Sequence, residues 1–357
     1  MIYAAITGWG KCTPPAKLTN ADLETLLETS DQWIVSRTGM KERRISHVPL
    51  TDLAHVACEH ALAAAGKSAK EVELIILGSC TYDEIVPNAS SRIQKLLGSE
   101  NAACMDINTA CTSGMYSLTV ANAMIKTGVV KNALVIGAEV ISRAMDWSNR
   151  DVAVLFGDGA AALFLERQTA KTGVVAESLG CFGNDRDILA VRGLGLSDAN
   201  LKLQAEFEWD FSGQEIFKKA VKGMSKACED VLEKEQLKES EIDLIVPHQA
   251  NLRIIDALGK RLKVDMSKVF INIQRYGNIS SATALLALVE AVEEGKVDAG
   301  AKVLMPAFGA GLTWSAHLIQ WGERTTPLGI SDAALPPCEF TGLQLVEKIC
   351  AERASQV

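Results

Sequence analysis

The chain has 357 residues, 48% of them hydrophobic and 22% charged, which is ample for a buried core and, at roughly 150 residues per domain, for about two domains. Its net charge of −8, from 36 basic and 44 acidic side chains, argues against a nucleic-acid or anionic-membrane binder, whose footprint is basic. No apolar run approaches the roughly 18–20 residues that span a bilayer, and no basic segment opens the chain as it opens a secretory leader.

In chain order, apolar runs alternate with segments of helical period. A helix is expected over residues 53–65, then a buried strand over 73–78, a short apolar run over 102–107, a helix over 114–127 and a strand over 133–137. The second half repeats the alternation, with a helix over 214–233, a strand over 243–246, a helix over 281–294 and a strand over 301–305. This order predicts an α/β fold of largely parallel sheets covered by helices. An aromatic content of 5% beside 27 glycines suits close helix-on-strand packing better than a β-sandwich. Past residue 322, the spacing of Phe340, Leu343, Val346 and Cys350 predicts an added amphipathic helix over a subunit interface or a tunnel rim.

The alternation is an internal repeat. Glu71-Val72-Glu73-Leu74-Ile75-Ile76 resembles Glu241-Ile242-Asp243-Leu244-Ile245-Val246, 170 residues on, and the helix ending at Gly128 resembles the one ending at Gly295, 167 residues on. Three parts are expected: a half over 1–170, a second half over 171–322 and a helical extension over 323–357. Under the 167-residue offset Cys111 pairs with Asn278, which places both at equivalent helix starts facing a shared site.

The nine cysteines are scattered, odd in number and free of any CxxC pair, so no disulfide framework and no metal site is expected. A reducing cytoplasm is the expected location, with most thiols acting as small hydrophobes. Cys111 differs: Asn108-Thr109-Ala110-Cys111-Thr112-Ser113-Gly114 joins an apolar run to a helix. A sharp turn there exposes the thiol, and the helix N-terminus favours the nucleophilic thiolate. Among five histidines, His248 ends a buried strand in Val246-Pro247-His248-Gln249-Ala250-Asn251, where α/β sheets present functional groups. Asn278 opens another helix in Tyr276-Gly277-Asn278-Ile279-Ser280. The glycines of Phe308-Gly309-Ala310-Gly311 let backbone N–H groups approach an oxyanion. Cys, His and Asn together suit either a cysteine hydrolase, in which Asn orients a His base, or a carbon–carbon-forming synthase. In the synthase Cys carries an acyl group while His and Asn donate to a thioester carbonyl, and the duplicated architecture favours this second chemistry.

From Thr29-Ser30-Asp31-Gln32-Trp33-Ile34-Val35-Ser36-Arg37-Thr38-Gly39, through Ala110-Cys111-Thr112, Phe156-Gly157-Asp158-Gly159-Ala160 and Pro247-His248-Gln249-Ala250-Asn251-Leu252-Arg253, to Gly277-Asn278 and Phe308-Gly309-Ala310-Gly311, the sequence resembles the β-ketoacyl-acyl-carrier-protein synthase III family of thiolase-like enzymes. The resemblance covers roughly residues 1–322. It implies the five-layered αβαβα thiolase-like fold as a homodimer, with Cys111 as acyl nucleophile. His248 and Asn278 would activate malonyl-acyl carrier protein by decarboxylation, and the N–H groups of Cys111 and Gly309 would form the oxyanion hole. Trp33 and Arg150 would sandwich the adenine of coenzyme A, with Arg37 on phosphate and Gly213, Ala250 and Asn251 along the pantetheine tunnel; guanidinium and indole planes both stack well on a purine. An acidic carrier protein calls for a basic patch, offered by Lys218, Lys219, Lys222, Arg253, Lys260 and Arg261, of which Lys218 and Arg253 match family positions. No resident cofactor is implied, since coenzyme A and phosphopantetheine arrive with the substrates.

Two departures bear on the acyl pocket expected around Gly114, Ile279 and Phe308. The family commonly has Gly-Phe where this chain has Ser113-Gly114, and Thr where it has Ile279. A lost aromatic wall predicts a primer that is a medium-chain or branched acyl-CoA. An acyltransferase or non-decarboxylating condensing enzyme of the same fold, a thioesterase, and a silent carrier-binding subunit are the other readings.

Overall fold

The computed structural model describes residues 1–193 and 207–355. Strands are β1 Tyr3–Cys12, β2 Lys17–Thr19, β3 Glu42–Arg44, β4 Leu74–Gly78, β5 Ala103–Ile107, β6 Asn132–Glu139, β7 Gly159–Gln168, β8 Gly173–Cys181, β9 Leu189–Arg192, β10 Glu208–Phe211, β11 Leu244–Ile245, β12 Lys302–Gly309 and β13 Thr313–Gln320. Helices are α1 Asn20–Leu26, α2 Asp31–Thr38, α3 Leu50–Ala65, α4 Ala89–Leu97, α5 Ser113–Thr127, α6 Arg150–Ala153, α7 Gly213–Glu235, α8 Leu252–Leu262, α9 Ile273–Tyr276, α10 Thr283–Glu293 and α11 Gly342–Ala354.

Two sheets carry the fold. The first has the order β1-β7-β6-β4-β5, with β4 parallel to β5 and β6, and the second has the order β11-β12-β13-β8, with β11 parallel to β12. Successive side chains of a strand point to opposite faces, and β4 buries both. Leu74 and Ile76 pack with α5 and α10, while Ile75 and Leu77 pack with α3 and α4. That two-sided burial is why the strand reads as one apolar run. Helices α5 and α10 fill the layer between the sheets, where Leu118, Ile125, Leu285 and Leu288 meet Val135 of one sheet and Met305 and Ile319 of the other. Sandwiched between two sheets, α10 is largely apolar and buries each residue from Thr283 to Val292, its one buried acid, Glu290, being paired with Lys11 and Arg275. On the far side, α7 and α8 cover the second sheet through Met224, Val231, Leu258 and Leu304. The layers run helix, sheet, helix, sheet, helix, the thiolase-like arrangement expected.

Beyond β13 the chain crosses back over α3. The Leu328 N–H and the Arg324 guanidinium both donate to the Ala64 carbonyl at 3.0 Å, and His60 and His47 meet the carbonyls of Ala333 and Pro336 at 2.9 and 2.8 Å. Thr341 then caps α11, its hydroxyl accepting from the Gln344 N–H. The buried face of α11 is Leu345 and Val346, with Leu343 and Ile349 packed beside them; Leu343 and Val346 lie where the spacing predicts, whereas Phe340 precedes the helix and Cys350 is exposed. Among the described residues no helix is long and apolar enough to cross a membrane.

Candidate active site

The same turn is built twice. Before α5, the Asn108 Oδ1 accepts from the Ala110 N–H at 3.1 Å, Ala110 takes a left-handed φ of 52°, and a short 3-10 turn Ala110–Thr112 leads into the helix. Before α10, the Asn278 Oδ1 accepts from the Ser280 N–H at 2.8 Å, Ser280 has φ of 44°, and a turn Ser280–Ala282 leads into α10. Non-glycine residues rarely occupy this region, and here two do so 170 positions apart. The counterpart of Cys111 is therefore Ser281, and that of Asn278 is Asn108, which corrects the pairing of Cys111 with Asn278. The 167-residue offset read at the helix ends reflects the shorter α10, of 11 residues against 15 in α5.

Asn278 is held by its backbone between Leu155 and Gly157: its N–H donates to the Leu155 carbonyl at 2.9 Å, and its carbonyl accepts from the Gly157 N–H at 3.1 Å. Gly277 permits this approach at φ of 64°, since a Cβ there would stand 2.8 Å from the Leu155 carbonyl oxygen. With Oδ1 engaged by Ser280, the side-chain NH2 group is what Asn278 has left to offer. His248 follows β11 and is pinned by its N–H, which donates to the Pro306 carbonyl at 2.8 Å. Its Nδ1 meets the Thr283 hydroxyl, which also lies 3.1 Å from the Ser280 carbonyl. The ring is 3% exposed, and burial pushes its pKa down to about 3, so the imidazole is neutral at physiological pH.

Cys111 sits on the first turn, which is locked to the second sheet by the 2.7 Å contact between the hydroxyls of Thr112 and Thr313. Its thiol is a resting thiol, not the thiolate expected from the helix N-terminus. Burial pushes the pKa up to about 11, outweighing the Ser280 hydroxyl and the N–H groups of Cys111 and Ala310, which pull it down. The nearby Glu139 carboxylate adds to desolvation in disfavouring the thiolate. A second thiol, Cys80, shares this pocket; it lies 3.7 Å from the Ser280 hydroxyl and donates to the buried Glu139 carboxylate at 3.4 Å, and burial holds its pKa well above the usual range.

Cys111, His248 and Asn278 open on one cavity of about 740 Å³, together with Gly309, Phe308 and Ser280. Of the positions expected along a coenzyme tunnel, Trp33, Arg37, Gly213, Ala250 and Asn251 line it, as do Lys218 and Arg253 at the mouth. Arg150 stands off the wall, but its guanidinium lies 4.6 Å from the Trp33 ring centre, the same distance as that of Arg37. Lys219, another residue of the expected basic patch, is ion-paired with Asp185.

Two expected pocket residues are elsewhere. Gly114 is buried between helices, and a Cβ there would stand 2.5 Å from the Ser281 carbonyl oxygen and 3.1 Å from Leu285; its glycine answers close packing and opens no room in the cavity. Ile279 is 1% exposed and packs over Gly159. The apolar wall comes instead from Ile141, Leu155, Phe156, Leu189, Trp209, Phe211 and Phe308. Sequence reasoning missed Thr283, Ser280, Cys80 and Trp209. Only the positional echo of Ser280 with Ala110 offered a signal for any of them.

Residues 105–183 and 232–321 match the models described as 3-Oxoacyl-[acyl-carrier-protein (ACP)] synthase III and its C-terminal part. A protein of Vibrio cholerae named beta-ketoacyl-[acyl-carrier-protein] synthase III 2 is 50% identical over 350 residues, covering 97% of this chain and 96% of that one. The crystal structure of 3-oxoacyl-[acyl-carrier-protein] synthase III from Aquifex aeolicus superposes with a TM-score of 0.83 at 41% identity, covering 89% of this chain and all of that one. The corresponding structure from Pseudomonas aeruginosa gives 0.84 at 34% identity over 90% and 98%.

Proposed function

The chain belongs to the β-ketoacyl-acyl-carrier-protein synthase III family of condensing acyltransferases, which initiate fatty acid synthesis, and we propose that Cys111, His248 and Asn278 divide its reaction between them. The supporting observation is that these three side chains, from both halves of the molecule, open on a single cavity that Trp33 and Arg37 also line.

In the first half-reaction the Cys111 sulfur attacks the thioester carbonyl of an acyl-CoA. The oxyanion is held by the N–H groups of Cys111 and Gly309, and coenzyme A leaves as a thiol, taking the proton that Cys111 gives up. Trp33 and Arg150 hold the adenine, Arg37 a phosphate, and Gly213, Ala250 and Asn251 flank the pantetheine. In the second, malonyl-acyl carrier protein docks at Lys218 and Arg253. As carbon dioxide leaves, the electrons of the broken bond pass into an enolate, whose oxygen accepts hydrogen bonds from the Nε2–H of His248 and the NH2 of Asn278. The enolate carbon then attacks acyl-Cys111, forming the new carbon–carbon bond and expelling the Cys111 thiolate, which regains a proton. The scheme places the ring proton of His248 on Nε2, which requires the Thr283 hydroxyl to turn its proton from the Ser280 carbonyl to Nδ1. Neutral His248 suits a fixed donor, since a buried imidazolium would require charge that burial disfavours.

The primer in this reading is longer or bulkier than acetyl, on the volume of the cavity and the apolar side chains Ile141, Leu155, Phe156 and Phe308. The enzyme is a cytoplasmic homodimer: its nine cysteines are all unpaired, and Ile85 and Val86 expose adjoining apolar side chains that suit a second copy. The decisive experiment exposes the protein to acyl-CoA and maps the adduct by peptide mass spectrometry, then adds carboxyl-labelled malonyl-acyl carrier protein. An acyl group on Cys111 followed by labelled carbon dioxide supports the scheme; acylation elsewhere, or condensation without release of the label, overturns it.

A further inference from the structure

We infer that Arg353, on the C-terminal helix α11, is a positioning residue that sets the Trp209 wall of the cavity and with it acyl-CoA selection. The inference rests on the reading of the cavity given above. The turn Ile141–Ala144 ends in carbonyls with no helical partner, and three consecutive ones are taken up from outside. The Arg353 guanidinium donates to the Arg143 carbonyl and, at 2.6 Å, to the Met145 carbonyl, while the indole N–H of Trp209 donates at 3.0 Å to the Ala144 carbonyl between them. Arg353 also covers the Phe207 ring, at 4.8 Å from its centre. Residues 207, 209 and 211 share one face of an extended segment, so Arg353 grips the strand bearing Trp209 at one end and the turn that receives Trp209 at the other.

Both gripped elements reach the site. Trp209 packs at 5.1 Å on Phe156, and Trp209, Phe156 and Ile141 all line the cavity. Helix α11 has its own anchorage through Val346, which is fully buried among Leu18, Ile34 and Trp147, so the guanidinium projects from a fixed base. A planar fork with several donors suits two carbonyls better than an ammonium group does. The family model ends at residue 321 and the Aquifex aeolicus enzyme is spanned entirely by 89% of this chain, whereas the Vibrio cholerae relative matches 97%. Arg353 therefore comes from a part of the chain beyond the shared catalytic body and grips elements within it.

The test measures acyl transfer to Cys111 from acyl-CoA esters of two to twelve carbons in wild type, Arg353→Ala, Phe207→Ala and the double variant. It also measures release of carbon dioxide by enzyme that has already been acylated. Each single variant is expected to raise KM for the preferred acyl-CoA, lower kcat/KM about tenfold and flatten the chain-length profile, with carbon dioxide release within about twofold of wild type. The double variant loses no more than the worse single, because one clamp is broken once. Wild-type chain-length profiles in both singles overturn the inference, and so does an equal fall in both half-reactions. A wild-type protein that forms no adduct on Cys111 overturns the underlying reading as well, which separates the two failures.

Discussion

Glu139 ends β6 and Gly309 ends β12, the same place in the two halves of the molecule. The Glu139 carboxylate accepts from the N–H of Ser281, the counterpart of Cys111, at 3.4 Å, and from the N–H of Cys80 at 3.2 Å. On the other side there is no carboxylate. A Cβ on Gly309 would stand 2.8 Å from the Cys111 nitrogen and 3.0 Å from that of Thr112. One half fills its turn with a buried acid; the other has no side chain there and leaves room beside the Cys111 N–H, while the Thr112 N–H is taken by the Thr109 carbonyl at 3.3 Å.

Gly309→Ala keeps the backbone N–H but sets a Cβ against the Cys111 nitrogen, and should lower acylation of Cys111 by roughly 10²-fold, about the cost of blocking one oxyanion donor, with little change in coenzyme A affinity. Single-turnover acylation and equilibrium binding of coenzyme A measure the two; unchanged acylation removes Gly309 from the role.

With its pKa at about 11, Cys111 should alkylate slowly at neutral pH. Below the pKa the thiolate share rises about tenfold per pH unit, so the rate should still climb between pH 8 and 10, where an ordinary cysteine levels off. Iodoacetamide labelling, followed on the Cys111 peptide, tests this, and a plateau below pH 8 refutes it.

His248→Ala and Asn278→Ala should spare acylation yet slow release of carbon dioxide by roughly 10²-fold or more. Thr283→Val should show a smaller loss in the same step. Because His248 is neutral down to about pH 3, that step should show no inflection near 6.5 in wild type. An inflection there would mean that the imidazole titrates during turnover.

The primer is tested by acylation rates across acyl-CoA chain length. An optimum above two carbons is expected, and Phe156→Trp should shift it toward shorter chains by filling the apolar wall. A sharp acetyl-CoA optimum in wild type would contradict the cavity reading.

Burial also pushes His317 down to about 3, beneath the Thr119 hydroxyl at 2.8 Å. Unfolded, both His248 and His317 bind a proton below about pH 6.5; folded, neither does until about pH 3. These two groups make the unfolded chain bind more protons across that window, so their contribution to stability falls as pH drops, against the opposite contribution of Asp158, which burial pushes up to about 6. The change in urea midpoint from pH 7 to 4.5 should therefore be less downward in His317→Gln than in wild type.

Much of this was legible in the sequence, for identifiable reasons. Strand β4 and helix α10 are buried on all sides, so Leu74 to Leu77 and Leu285 to Val292 declare themselves as apolar runs. Cys111, His248 and Asn278 stand at the ends of such elements and could be picked out by position. Thr283 and Ser280 were silent because a hydroxyl at a helix start is ordinary, and only the folded packing brings His248 against it. Gly114 misled because a glycine reports that something is close without saying what: here it is the Ser281 carbonyl of the neighbouring helix start, not a substrate. The ionisation of Cys111 was misjudged for the same reason, since a helix start is visible in sequence and the depth of enclosure is not.

Asn278 and Phe156 lie on one rung of parallel backbone pairing. In the proposed reaction the aromatic wall that meets the primer and the carboxamide that meets the enolate are thus joined through one backbone rung, so neither can be placed independently of the other.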